Sequence, residues 1–332
     1  DAEGTVEIGG SVATSLASSQ NATCEGTVII SGSTETERKL TVSCEGTIEI
    51  SGVTMAPSIT ADPANNLVLR NTQGTVGRAS KLYVDANFVY VADWSGGLAS
   101  YTVDADGALT YKSRVVRNDV FDVWGDGTFI YAACSINGIV SYSVDGSGNF
   151  TEEGTQDDGG TYYGIWGDGT YIYAACGTDG IRCYSVDGAG SFTLEDTDDQ
   201  GGTAYGIWGD GTYVYLANYD GGLVSYTVSA AGAFSVNDTE TTPTYAYGIW
   251  GDGFHIYVAD RDNAVMSFDV DASGNLSHLD TYALADDAYD VHGDGKYVYV
   301  TGNDSGLYTF TVTGSGVFEL VDNHNTGDDN YW

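Results

Sequence analysis

The residues best able to do chemistry are the four histidines, and their positions argue against it. His255 occupies the place held by Tyr171, Tyr213 and Tyr297 in neighbouring segments, and His292 the place held by Trp124, Trp166, Trp208 and Trp250. A histidine that alternates with aromatics at one place reads as a packing variant, as His278 and His324 do by default. No His-x-x-x-His metal pair, nucleophile elbow or phosphate-cradling glycine loop accompanies them. No enzyme is expected, and a hydrolase or lactonase would have to rest on carboxylates and a metal.

Carboxylates are the other candidates. Asp269-x-Asp271-x-Ser273-Gly274 and Asp104-x-Asp106-Gly107 alternate oxygen ligands ahead of a glycine, which resembles part of a calcium loop. No closing bidentate glutamate follows, so calcium is a candidate cofactor and solvated turns are the alternative. Acidic pairs in the returning loops at Asp157-Asp158, Asp198-Asp199 and Asp286-Asp287 are a second calcium candidate, and Asp157, Asp158, Asp198, Asp199 and Tyr162 form a candidate ligand surface for a glycan or a protein. Single aspartates at Asp126, Asp168, Asp210, Asp252 and Asp294 each precede a glycine, where Asp-Gly is favoured for turn geometry.

All of these are positioned by a repeat. VWGDGTFIYAA starts at Val123, IWGDGTYIYAA at Ile165, IWGDGTYVYLA at Ile207, IWGDGFHIYVA at Ile249 and VHGDGKYVYVT at Val291, 42 residues apart each time. LYVDANFVYVA from Leu82 is a sixth copy, 41 residues upstream of the first. Each unit reads as four strands. Gly164-Ile165-Trp166 meets a tight Gly-Asp-Gly turn. Tyr171–Ala175 is apolar at consecutive positions, as in a strand covered on both faces. Ile181–Val186 and Phe192–Glu195 complete the unit. Four antiparallel strands per period are a β-propeller blade, so the fold class is all-β. The tryptophans then lie on the innermost strand, where filling blade interfaces outweighs sugar stacking.

A weaker match one period further back (Lys39-Leu40-Thr41-Val42 on Lys81-Leu82-Tyr83-Val84) makes 39–80 a degenerate seventh blade, ahead of 81–121, 122–163, 164–205, 206–247, 248–289 and 290–332. Seven blades are therefore expected, with six plus an N-terminal β module as the alternative. Residues 1–38 form a separate strand segment, echoed as EGTVEIGG, CEGTVIISG and CEGTIEISG.

Segments such as VYVADWSGGLASYTVD from Val89 and VYLANYDGGLVSYTVS from Val214 resemble LVIVD-repeat and related surface β-propellers over about residues 80–332. That resemblance implies propeller architecture and an extracellular or adhesive setting, and it transfers no catalytic motif.

Net charge sets the remaining limits. With 47 acidic and 11 basic residues the chain carries −36, which repels nucleic acid and anionic membranes. No apolar run reaches the roughly 18 residues of a membrane span. Residues 1–117 hold 13 acids and 8 bases, so the remainder is the polyanion. Sequons at Asn21, Asn149, Asn237, Asn275 and Asn303, and a first residue of Asp, lead to an expectation of a secreted, glycosylated chain. Cys24 and Cys44 share a place in two echoes and are the expected disulfide; five cysteines leave at least one thiol free or paired between molecules, Cys134 and Cys176 fit a plain packing role, and the pairing of Cys134, Cys176 and Cys183 stays open. Together these readings predict a secreted, non-enzymatic adhesive or structural protein that self-associates into filaments by donating its N-terminal strand. A monomeric module for glycan or protein partners is the alternative.

Overall fold

A computed structural model describes residues 3–9, 20–31 and 40–51 as strands, and residues 74–242, 245–303 and 305–324 in full. Every regular element among the described residues is a β-strand. The chain divides into two compact units, Asp1–Val68 and Leu69–Trp332.

In the first unit Glu3–Gly9, Gln20–Ser31 and Leu40–Ser51 form one parallel sheet. The pairing aligns the three echoes like on like: Glu3 opposite Glu25 and Glu25 opposite Glu45, with Cys24 opposite Cys44. Two expectations are corrected here. Leu40–Ser51 belongs to this sheet and not to a seventh blade, because a full in-register echo outweighs a four-residue match to Lys81–Val84. The strand Glu3–Gly9 is likewise not free for donation, being paired along its whole length. Of the segment expected as a seventh blade, residues 52–73 lie outside the described residues.

The second unit is a propeller of six four-stranded blades, spanning Lys81–Val115, Asp122–Gln156, Gly164–Asp198, Gly206–Glu240, Ala246–Ala283 and Ala288–His324. Each blade pairs its strands in chain order, as in blade 3: Gly164–Gly167, Tyr171–Ala175, Ile181–Val186 and Phe192–Asp198. First strands of successive blades lie side by side around the central channel. The buried apolar clusters bridge consecutive blades; one joins Tyr173 and Cys183 of blade 3 to Leu216 and Tyr226 of blade 4.

Three repeated devices hold this packing. In blades 2 to 5 the first-strand tryptophan stacks on the second-strand tyrosine of its own blade, Trp166 on Tyr173 at 5.7 Å and 17°. It also covers the next blade's glycine, where a Cβ on Gly209 would lie 2.5 Å from the Trp166 ring. The Gly-Asp-Gly aspartate closes its turn: Asp168 accepts the Thr170 and Tyr171 amides at 2.7 and 2.8 Å and the Tyr173 hydroxyl at 2.8 Å. Asp85, Asp126, Asp210, Asp252 and Asp294 each hold the hydroxyl five residues on in the same way. The third-strand serine donates to a turn carbonyl of the following blade, Ser141 to Gly190 at 2.6 Å and Ser267 to Gly316 at 2.6 Å.

Candidate functional site

The residue two places ahead of each repeated Leu, Val or Ile, at the start of the first strand, is Ser80, Phe121, Tyr163, Tyr205, Tyr247 and Tyr289 in turn. Its amide is pinned to the end of the second strand, Tyr163 to Ala175 and Tyr205 to Ala217. Side chains at this place therefore converge on one mouth of the channel. Ring centroids run 5.1 Å from Phe121 to Tyr163, 4.6 Å to Tyr205, 4.3 Å to Tyr247 and 5.7 Å to Tyr289. Trp94 adds to this arc at 5.0 Å from Phe121, Tyr219 at 5.4 Å from Tyr205, and Tyr245 at 4.4 Å from Tyr219.

Backbone strain marks the same rim. Trp94 and Tyr219 hold φ of 41° and 46° at the turn position that Gly177 fills at 58° in blade 3. A left-handed conformation costs a non-glycine residue about 1 kcal/mol or more, and such strain clusters at functional sites.

Cations lie on these rings. The Arg261 guanidinium sits 4.8 Å from the Tyr289 centroid and 5.2 Å from Tyr247, and it donates to the Tyr289 hydroxyl at 3.2 Å. Arg78 lies 4.8 Å over Trp94. Burial holds Tyr205 and Tyr247 above the usual phenol range, and neighbouring phenols add to it, so these two stay neutral at physiological pH.

Beneath the arc, one first-strand slot reads Lys81, Asp122, Gly164, Gly206, Gly248 and Asp290 around the ring. Its three charged members are neighbours across the junctions of blades 6, 1 and 2. Lys81 pairs with Asp290, and both keep about a quarter of their side-chain surface open, 25% and 23%. Burial alone would depress the Lys81 ammonium, but the Asp290 and Asp122 carboxylates outweigh it and raise it. Burial pushes the Asp122 carboxyl up to about 6, against the pull of Lys81 and of the Ile165 and Val123 amides it accepts. The enclosed cavity measures about 40 Å³, room for a few waters only, so a larger ligand must lie on the arc.

Among solved structures, the chain resembles a candidate 6-phosphogluconolactonase of Bacteroides fragilis at 18% identity and TM-score 0.66, over 74% of this chain and 84% of that one. A protein from Lactobacillus plantarum matches at 20% and 0.69, over 76% and 86%. Sqt1 of Chaetomium thermophilum, bound to the N-terminus of ribosomal protein L10, matches at 11% and 0.58, over 76% of each chain. The likeness is one of fold. No family model and no curated protein matches the sequence. Nothing in these likenesses supports an adhesive filament, and the strand on which that function depended is already paired. The adhesive filament built by donation of the N-terminal strand therefore does not hold.

The returning loops are braced from within. Tyr162 is fully buried, and its hydroxyl meets Arg182 at 2.5 Å and the Tyr184 hydroxyl at 3.1 Å. Asp158 accepts from Tyr184 at 3.0 Å and Asp198 from Tyr226 at 3.1 Å, while Asp157 and Asp199 accept the Gly159 and Gly201 amides. The candidate calcium turns are similarly engaged. Asp271 accepts the Ser273 and Asn275 amides, and its pKa is lowered chiefly by the Asn275 side chain. Asp104 accepts the Asp106 and Ala108 amides, and Asp269 the Val270 amide. Among the described residues no three His, Cys, Asp or Glu side chains gather to hold a metal.

Of the sequons, Asn149 and Asn275 are exposed, with their amides on Asp145 and Asp271; the Asn237 amide nitrogen is buried and Asn303 half-buried. The side chains of Asn21, Cys24 and Cys44 lie outside the described residues. Burial pushes the thiols of Cys134, Cys176 and Cys183 up to about 12, which removes thiolate chemistry.

The aromatic arc was absent from the site residues expected from sequence. Its signal was the same period, two residues ahead of each repeated Ile or Val.

Proposed function

We propose that the protein is a non-catalytic binding module that receives a small cationic ligand, an alkylammonium or guanidinium, on the aromatic mouth of its channel. The observation that carries this reading is the continuous arc from Phe121 to Tyr289, on which the chain's own Arg261 already rests. Aromatic faces attract cations through their quadrupole, by about 0.5–2 kcal/mol per contact. A chain of net charge −36 concentrates cations around itself and repels phosphorylated substrates. Asp122 and Asp290 add negative potential beneath the rings, offset in part by Lys81.

Calorimetric titration with agmatine and with tetramethylammonium tests the reading. Millimolar or tighter binding is expected, weakened about tenfold in Tyr205→Ala and reduced by salt. Absence of binding at 20 mM, or equal binding by the variant, overturns it.

A further inference from the structure

A second site lies on the opposite, Gly-Asp-Gly face, at the junction of blades 1 and 2. The residue three places after each turn aspartate is Phe88, Phe129, Tyr171, Tyr213, His255 and Tyr297 in blade order. In blades 3 and 4 its hydroxyl latches the next blade: Tyr171 donates to the Ala230 carbonyl at 3.0 Å and Tyr213 to the Ala272 carbonyl at 2.8 Å. Phe88 and Phe129 have no hydroxyl to donate. The carbonyls at the matching turn positions, Gly146 and Gly188, receive no such latch, and grooves of about 510 and 190 Å³ stand open there. The larger falls within the ~300–1,000 Å³ of small-molecule sites.

Its walls carry a specific chemistry. Phe88 and Phe129 form an apolar floor. Asp85 and Asp145 stand on either side, their positions fixed by the amides they accept: Asn87 and Phe88 for Asp85, Ser147 and Asn149 for Asp145. In each, Oδ1 is filled by its two amides, while Oδ2 accepts one donor (the Tyr90 hydroxyl on Asp85, the Asn149 side-chain amide on Asp145) and retains capacity for one more. Lys112 lines the same groove and forms no ion pair among the described residues. Two carboxylates, an ammonium and a turn carbonyl around an aromatic floor offer acceptors and a donor to a ring bearing several hydroxyls. With two negative groups against one positive, in a polyanionic chain, an anionic ligand is disfavoured.

We propose that the groove between blades 1 and 2 binds a neutral polyol or single sugar ring. One ligand hydroxyl donates to the Gly146 carbonyl, in the place of the missing tyrosine hydroxyl. Others donate to Asp85 and Asp145 and accept from Lys112. This site is independent of the channel mouth.

The test is saturation-transfer NMR and calorimetry with methyl β-D-glucopyranoside and myo-inositol. Wild-type protein is expected to bind at least one probe at millimolar concentration. Phe88→Tyr, which installs the latch of blades 3 and 4, should weaken binding at least tenfold without lowering the melting temperature. Lys112→Gln should weaken it several-fold, and Tyr205→Ala should leave it unchanged. The proposal is overturned if neither probe binds at 50 mM, or if Phe88→Tyr or Lys112→Gln binds as wild type does.

Discussion

Blades 3 to 5 and the sector formed by blades 6, 1 and 2 are built on one period but held together differently. In the first sector the channel slot is glycine at Gly164, Gly206 and Gly248, and tyrosine hydroxyls latch blade 3 to 4 and blade 4 to 5. In the second the slot is Asp290, Lys81 and Asp122, and phenylalanine replaces the latch in blades 1 and 2. The Thr309 hydroxyl, at the place where Ser225 and Ser267 reach the next blade, is buried without a partner among the described residues. Inside the array each blade meets a near-copy of itself, so one set of contacts serves every junction. Where chain ends must meet, the neighbour is no longer that copy, and charge pairing takes over. The proposed groove lies in this less regular sector, and the aromatic mouth spans both sectors.

The contrast can be broken most severely at the closing charge. Lys81→Met leaves Asp122 and Asp290 facing each other across a partly open channel, and should lower stability by about 3 kcal/mol in urea unfolding. The double variant Lys81→Met/Asp290→Leu should recover at least half of that loss. Equal losses in single and double variants would remove the closing role. In the regular sector the matching lesion is steric. Gly209→Ala drives a methyl into the Trp166 ring and should cost about 2 kcal/mol. Gly211→Ala meets nothing within 4 Å, so only its φ of 87° opposes it, and a loss of about 1 kcal/mol is expected. Equal melting temperatures for these two variants would show that ring contact is not what demands Gly209.

A third, smaller effect depends on pH. The Asp122 carboxyl is raised to about 6 in the folded state, chiefly by burial, above its ordinary value of 3.8. Between those values the folded chain binds the proton that the unfolded chain releases. This residue's contribution therefore favours folding at low pH and fades as pH rises from about 4 to 6. Wild type should lose roughly 1–2 kcal/mol more than Asp122→Asn between pH 4 and pH 7, allowing for partial exposure to channel water. Parallel urea midpoints would contradict this. The smallest expected change sharpens the comparison. Cys183 fills the slot of Ser100, Ser141, Ser225 and Ser267, and Cys183→Ser should restore the donor toward blade 4, adding about 0.5–1 kcal/mol. An unchanged or lower melting temperature would show that the thiol already fits that site as well.

Much of this architecture is legible in the amino-acid sequence. A fixed 42-residue period with apolar second strands and Asp-Gly turns points to four-stranded blades, since neighbouring blades in a ring cover both faces of each strand. The tryptophans and turn aspartates are readable as packing and turn residues because each occupies a slot filled by similar residues in other copies. Blade number is not readable in the same way. Lys39–Val42 resembles Lys81–Val84 over four residues, and only strand pairing shows that this stretch joins Gln20–Ser31 in a parallel sheet. Nor could Tyr162 be known as a buried post from a loop sequence that reads as polar.

By itself the sequence determined what each blade is, because period, turn chemistry and strand patterning are local and are repeated in every copy. Ring closure decided which copies face one another. It brought Lys81 to Asp290 across 209 residues, drew Phe121 through Tyr289 into one arc, and left a groove where two tyrosine hydroxyls are missing. Those juxtapositions depend on through-space proximity between residues distant in sequence, and a one-dimensional period carries no record of them.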